Sequence, residues 1–252
     1  MNRNIKIEIA YDGTAYNGWQ RQENTNKTIQ GILESSISLL LNEVIEINGS
    51  GRTDAGVHAK GQVANFYTKS ELNPNAFMNK LNLILPEDIK ILNVEEVEQG
   101  FHARRTARAK TYSYSIWNSD ISFVFGRKYV YEIAPKLHVE AMKKASQFLI
   151  GEHDFRSFSS DKNMQKSSIR TIYQININQI GDKITISYEG SGFLYNMVRI
   201  MTGTLIEVGL LKRSPDSIAS ILVAKNREAS GFTAPPQGLC LEHVYYENRY
   251  YR

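Results

Sequence analysis

Apolar residues in this chain change their spacing in the same order twice over, and few folds tolerate that order. Ile5, Ile7 and Ile9 alternate as in a half-buried strand, whereas Thr28 to Leu41 is apolar at Ile29, Ile32, Leu33, Ile37 and Leu40, the spacing of an amphipathic helix. Val44 to Ile47 and Gln62 to Tyr67 predict strands, Asn75 to Leu83 a helix and Ile89 to Val97 a strand. After residue 110 the order returns. Thr111 to Ile116 predicts a strand, Val139 to Leu149 a helix, Thr171 to Ile177 and Lys183 to Tyr188 strands, Leu194 to Val208 a helix and Leu241 to Tyr246 a last strand, with Ser214 to Val223 as an inserted helix. Each half is therefore expected to be a ferredoxin-like β-α-β-β-α-β unit. The fold class expected is α+β, with the two halves sharing one long mixed sheet and an active-site cleft between them. The first half, 1–107, carries a glycine-rich loop; the second, 108–252, carries Tyr112 and Arg199.

A length of 252 residues suits two such units, and 42% hydrophobic with 22% charged residues is the composition of a globular protein rather than a disordered one. Cys240 is the single cysteine, which excludes an intrachain disulfide and any multi-thiolate zinc site and points to a reducing, cytoplasmic setting. No apolar run is long enough to span a bilayer, and no signal peptide is expected at the start. Lys and Arg exceed Asp and Glu by four, and position matters more than size. Up to residue 110 the two signs balance at 13 each, so the whole excess lies beyond it. Between residues 101 and 128, Arg104, Arg105, Arg108, Lys110, Arg127 and Lys128 face only Asp120 and alternate with Tyr112, Tyr114, Trp117 and Phe123. A solvated strand edge with inward aromatics accounts for such a run as well as a polyanion-binding surface does.

Gly49-Ser50-Gly51-Arg52-Thr53-Asp54-Ala55-Gly56-Val57-His58 holds three glycines, an arginine and an aspartate in ten positions, a composition suited to a tight loop that presents a side chain to a bulky ligand. It is no phosphate-binding P-loop, and the dinucleotide fingerprint fails because Asp54 stands at its third glycine. Ser50, Asp54 and His58 do not make a nucleophile elbow, and His58, His102, His138, His153 and His243 lack the spacing of a helical metal site. By residue type alone, His58 reads as a loop histidine bonded to backbone and Asp54 as a capping carboxylate.

Gly51-Arg52-Thr53-Asp54-Ala55-Gly56-Val57-His58 resembles the signature loop of the tRNA pseudouridine synthase A family. Further matches follow in order along nearly the whole chain. Tyr11-Asp12-Gly13 with Tyr16-Asn17-Gly18-Trp19-Gln20-Arg21-Gln22 resembles that family's opening, Phe101-His102-Ala103-Arg104 its central turn, and Lys110-Thr111-Tyr112-Ser113-Tyr114 its second motif. Gly151-Glu152-His153-Asp154-Phe155, Asn196-Met197-Val198-Arg199 and Ala234-Pro235-Pro236-Gln237-Gly238-Leu239 complete the series.

The resemblance implies an isomerase that turns uridine in tRNA into pseudouridine without cofactor or metal, acts on the anticodon arm at tRNA positions 38, 39 and 40, and works as a homodimer. It implies that Asp54 is the essential carboxylate, with Arg199 against it and Arg52 orienting the loop or filling space left by a displaced nucleotide. An ionised carboxylate is what each route requires, and a guanidinium favours that form. Arg199 also interrupts an apolar helix face at Met197, Val198, Ile200 and Met201, where a lone charge calls for a partner. Tyr112 is the implied stacking platform for the unstacked base, and Leu239 its apolar neighbour, although each is also a fitting core residue. Arg21, Arg104, Arg105, Arg108 and Lys110 are the expected phosphate contacts.

Overall fold

A computed structural model describes residues 2–247. In chain order the elements are β1 (Arg3–Tyr11), α1 (Ile29–Leu41), β2 (Asn48–Gly49), β3 (His58–Thr68), α2 (Pro74–Ile84), β4 (Ile89–Val97), β5 (Ala109–Trp117), β6 (Tyr131–Glu132), α3 (Val139–Gln147), β7 (Gly151–Asp154), β8 (Ile169–Ile180), β9 (Lys183–Gly190), α4 (Met197–Gly209), α5 (Ser217–Ala224) and β10 (Leu239–Tyr245). They fall into two compact units, residues 2–108 with the strand from Cys240 onward, and residues 109–239. Both are α+β, and both carry a mixed sheet, in accord with the expected class.

In the first unit the strands run β4-β1-β3-β10, antiparallel except for the parallel pair β3 and β10, which matches His58 with Cys240. β1 buries Ile5, Ile7, Ile9 and Tyr11 at alternate positions, as its spacing predicted. α1 starts where Thr28 Oγ1 accepts from the Gly31 amide, and α2 starts at Asn73 with Pro74 in its first turn. Leu33, Ile37 and Leu81 from these helices join Ile7, Ile9 and Phe66 in a fully buried core, each side chain contributing ~2 kcal/mol.

Val44 to Ile47 is not a strand. Val44 is 96% exposed, and the backbone is satisfied by side chains of α1 rather than by a ladder: Ile45 donates to Ser38 Oγ and Ile47 to Glu34 Oε1. The second strand of the unit shrinks to Asn48–Gly49, paired with Asn65 and Ala64 of β3.

The second unit orders its strands β5-β9-β8-β7, all antiparallel, with β6 parallel to the end of β5. The short strands β6 and β7 were not expected, because two to four residues carry no readable period. α4 begins at Met197 rather than near Leu194 and is buried on nearly every side. Tyr188 of β9 shares a hydrogen bond with Thr202 inside it at 2.8 Å.

Candidate active site

The loop that carries Asp54 is braced from beneath. Gln62 in β3 donates from Nε2 to the Gly51 carbonyl at 3.1 Å and to the Tyr11 hydroxyl at 3.4 Å, while its Oε1 accepts from Ser50 Oγ at 2.7 Å. Tyr11 and Thr53 share a further hydrogen bond of 2.8 Å. Burial drives the Tyr11 phenol far above its ordinary range, so it stays a neutral strut.

From the other side the opening motif covers the same loop. The Trp19 amide donates to the Thr53 carbonyl at 3.0 Å, and the Gly56 amide donates to the Tyr16 carbonyl at 3.3 Å. Gly18 sits between them at φ 92°, where a β-carbon would fall 2.7 Å from the Thr53 oxygen. Two motifs far apart in sequence thus meet at one loop. Asp54 stands at its half-buried bend, where its carbonyl accepts from the Val57 amide, and Arg52 points into solvent. His58 is the backbone-bonded histidine its sequence context predicted, accepting at Nδ1 from the Gly13 amide at 3.0 Å.

The Phe101-His102-Ala103-Arg104 turn is anchored by two buried asparagines. Asn65 Nδ2 donates to Asn4 Oδ1, Asn65 Oδ1 accepts from the Ala103 amide, and Asn4 Nδ2 donates to the carbonyls of Glu98 and Phe101. The Ala103 carbonyl in turn accepts from the Tyr246 hydroxyl at 2.9 Å. A rigid base therefore presents Arg104 and Arg105 to solvent, and Arg108 follows, exposed, with its amide bonded to the Tyr245 carbonyl. Arg21 is differently held. Its Nη1 lies 3.1 Å from Glu34 Oε2, a buried carboxylate of α1 that also accepts from the Ile47 amide.

In the second unit Lys110 and Tyr112 lie on β5 opposite Gly190 and Tyr188 of β9. Lys110 is half-buried, and Tyr112 is 8% exposed, its ring edge-on to Phe193 at 5.2 Å between centroids. Arg199, the third residue of α4, donates from Nε to the Ala234 carbonyl at 2.7 Å and from Nη1 to Asn196 Oδ1 at 2.8 Å; its own carbonyl accepts from the Ala234 amide. The segment that begins there passes Pro235, whose carbonyl accepts from the Tyr114 hydroxyl, and reaches Leu239, buried at the head of β10. Arg199 and the Ala234 to Leu239 motif are thus brought together.

Sequence reasoning missed the supports of these residues. Asn196 holds the Arg199 guanidinium from a left-handed backbone at φ 60°, and Gln62 and Asn65 read as ordinary strand residues. The available signal was an amide side chain set among the apolar residues Val63, Ala64 and Phe66 of the strand. Burial pushes the Cys240 thiol up to about 12, which favours its protonated form. Among the described residues, no three or more His, Cys, Asp or Glu side chains group so as to hold a metal ion, and no helix is long and apolar enough to cross a membrane.

The family described as tRNA pseudouridine synthase matches residues 8–104 and 145–247. A tRNA pseudouridine synthase A 2 of Clostridium tetani is 46% identical over 247 residues, which cover 98% of this chain and all of that protein. A tRNA pseudouridine synthase A of Bacillus sp. strain KSM-64 is 48% identical over 241 residues, 96% of this chain and 98% of that one. Among solved structures, a Cbf5-Nop10-Gar1 complex aligns with 94% of this chain at 13% identity and TM-score 0.35; this chain spans 47% of that one's length, and so remote a likeness carries no weight.

Proposed function

The chain belongs to the tRNA pseudouridine synthase family, whose reaction is an isomerisation, and on that premise we propose that it modifies the anticodon arm of tRNA, at positions 38, 39 and 40, with Asp54 as the catalytic carboxylate. The N1–C1′ bond of a uridine breaks, the uracil turns, C5 bonds to C1′, and the C5 proton leaves while N1 regains one. Nothing is added or lost overall. Asp54 enters this sequence ionised, whether it attacks C1′, attacks the base or removes the 2′ proton.

What supports the reading most is the bracing of the Gly51 to His58 loop, in which Gln62 and the Tyr16 to Trp19 segment hold the bend that carries Asp54. The backbone that carries Asp54 is thus held in place before the substrate arrives, and positioned catalysts gain rate from such preorganisation. Tyr112 is the stacking platform, already fixed by Phe193, and Arg52, Arg199 and Leu239 complete the substrate-binding set. Arg21, Arg104, Arg105, Arg108 and Lys110 contact phosphates. The protein acts as a homodimer, without metal or cofactor.

The decisive experiment uses tRNA labelled with tritium at C5 of uridine. The parent protein releases tritium without free uracil, and Asp54→Ala releases none while still binding tRNA. Pseudouridine formed by that variant at the parental rate would remove Asp54 from catalysis, and free uracil from the parent would make the enzyme a glycosidase instead.

A further inference from the structure

Part of the basic and aromatic run between residues 101 and 128 is left unused by the proposed site. Between β5 and β6, residues 118–130 form a loop that is firmly built yet displays apolar groups to water. Trp117 stacks on Phe123 with 4.4 Å between centroids and 13° between planes, and Trp117 Nε1 donates to the Ile121 carbonyl at 2.7 Å. The Phe123 amide donates to Glu132 Oε1 at 2.7 Å, and the Gly126 and Tyr129 amides close successive turns on the carbonyls of Phe123 and Gly126. On this frame Phe125 is 98% exposed, with Ile121 and Val124 also open to solvent. Arg127 and Lys128 follow after Gly126 and are exposed, and Asp120 is the one acid between residues 118 and 131.

A phenyl ring so fully hydrated on a rigid turn loses free energy in water that a flat partner would restore. The neighbouring cations narrow what that partner is. Burying Arg127 and Lys128 against another protein would need matching acids, whereas nucleic acid supplies phosphates and base faces together. We propose that Phe125, Arg127 and Lys128 form an additional RNA contact, in which Phe125 stacks on an unpaired base of bound tRNA and the two cations meet the flanking phosphates. The proposal rests on the tRNA reading above and extends it to a loop that carries none of the residues assigned there.

The test measures the affinity of the full-length protein for tRNA across a salt series, alongside its oligomeric state by sedimentation. Phe125→Ala is expected to weaken binding about tenfold and Phe125→Trp to hold it near the parental value, since indole stacks as well as phenyl. Arg127→Gln with Lys128→Gln should lower the slope of log affinity against log salt by about 2. Parental affinity in Phe125→Ala overturns the proposal; so does a change in its sedimentation at unchanged affinity, which would make the loop a contact between protein chains. Binding is read without turnover, so a parent that binds tRNA but forms no pseudouridine defeats the functional reading, while the affinities of the Phe125 variants still decide the role of the loop.

Discussion

Gln62 has both ends of its amide occupied inside the first unit, and three of its partners belong to the loop of Asp54 or its supports. Replacing it with leucine keeps the volume but withdraws the donor from the Gly51 carbonyl and the acceptor from the Ser50 hydroxyl. Buried groups deprived in this way cost about 2 kcal/mol, so Gln62→Leu should lower the unfolding free energy from urea titration by that amount and reduce turnover more than it weakens tRNA binding. A variant that loses stability but keeps the parental kcat would show that the network supports the strand and not the loop. The motif that carries Asp54 was legible in the sequence. Its bracing was not, because a glutamine in a strand looks the same in sequence whether it faces water or a buried carbonyl.

At the scale of elements, a glycine with positive φ matters for two separable reasons, backbone strain and lack of room for a β-carbon, and Gly18 and Gly181 tell them apart. Gly18, in the segment over the Asp54 loop, combines φ 92° with a site where any β-carbon meets the Thr53 carbonyl. Gly181, in the turn between β8 and β9, has φ 58° and open space around it. Gly181→Ala should therefore lose only about 1 kcal/mol from backbone strain, while Gly18→Ala should lose about 3 kcal/mol and most of its activity as the loop is pushed aside. Thermal melts and single-turnover rates for the two variants check this, and equal losses would mean that contact with the loop is unimportant. Periodicity located the α-helices and the long strands, since their alternation is set by which face is buried. It failed at Val44 to Ile47, where apolar alternation is present but side chains of α1 take the place of a partner strand.

For the whole molecule the governing quantity is charge, a net +4 whose excess lies entirely beyond residue 110. Arg104 and Arg108 stand just before that point, exposed on the linker anchored by Asn4 and Asn65. If they meet phosphates, Arg104→Gln with Arg108→Gln should weaken binding to every tRNA alike and reduce the salt slope by about 2; an unchanged slope excludes both from the footprint. The sequence by itself determined the α+β class, the order of the helices and long strands and, through seven motifs in register, the family. These are local or linear properties: apolar period follows from which face is buried, and a motif is read one residue after another. Only the tertiary structure decided that Tyr16 to Trp19 clamps the Asp54 loop, that Asn196 and Ala234 hold Arg199, and that Phe125 stands in water beside two cations. The clamp on the loop and the Ala234 contact need donors and acceptors from segments more than thirty residues apart, the Asn196 contact needs a left-handed backbone, and the exposure of Phe125 depends on what the rest of the chain leaves uncovered; no period or spacing along a sequence encodes these.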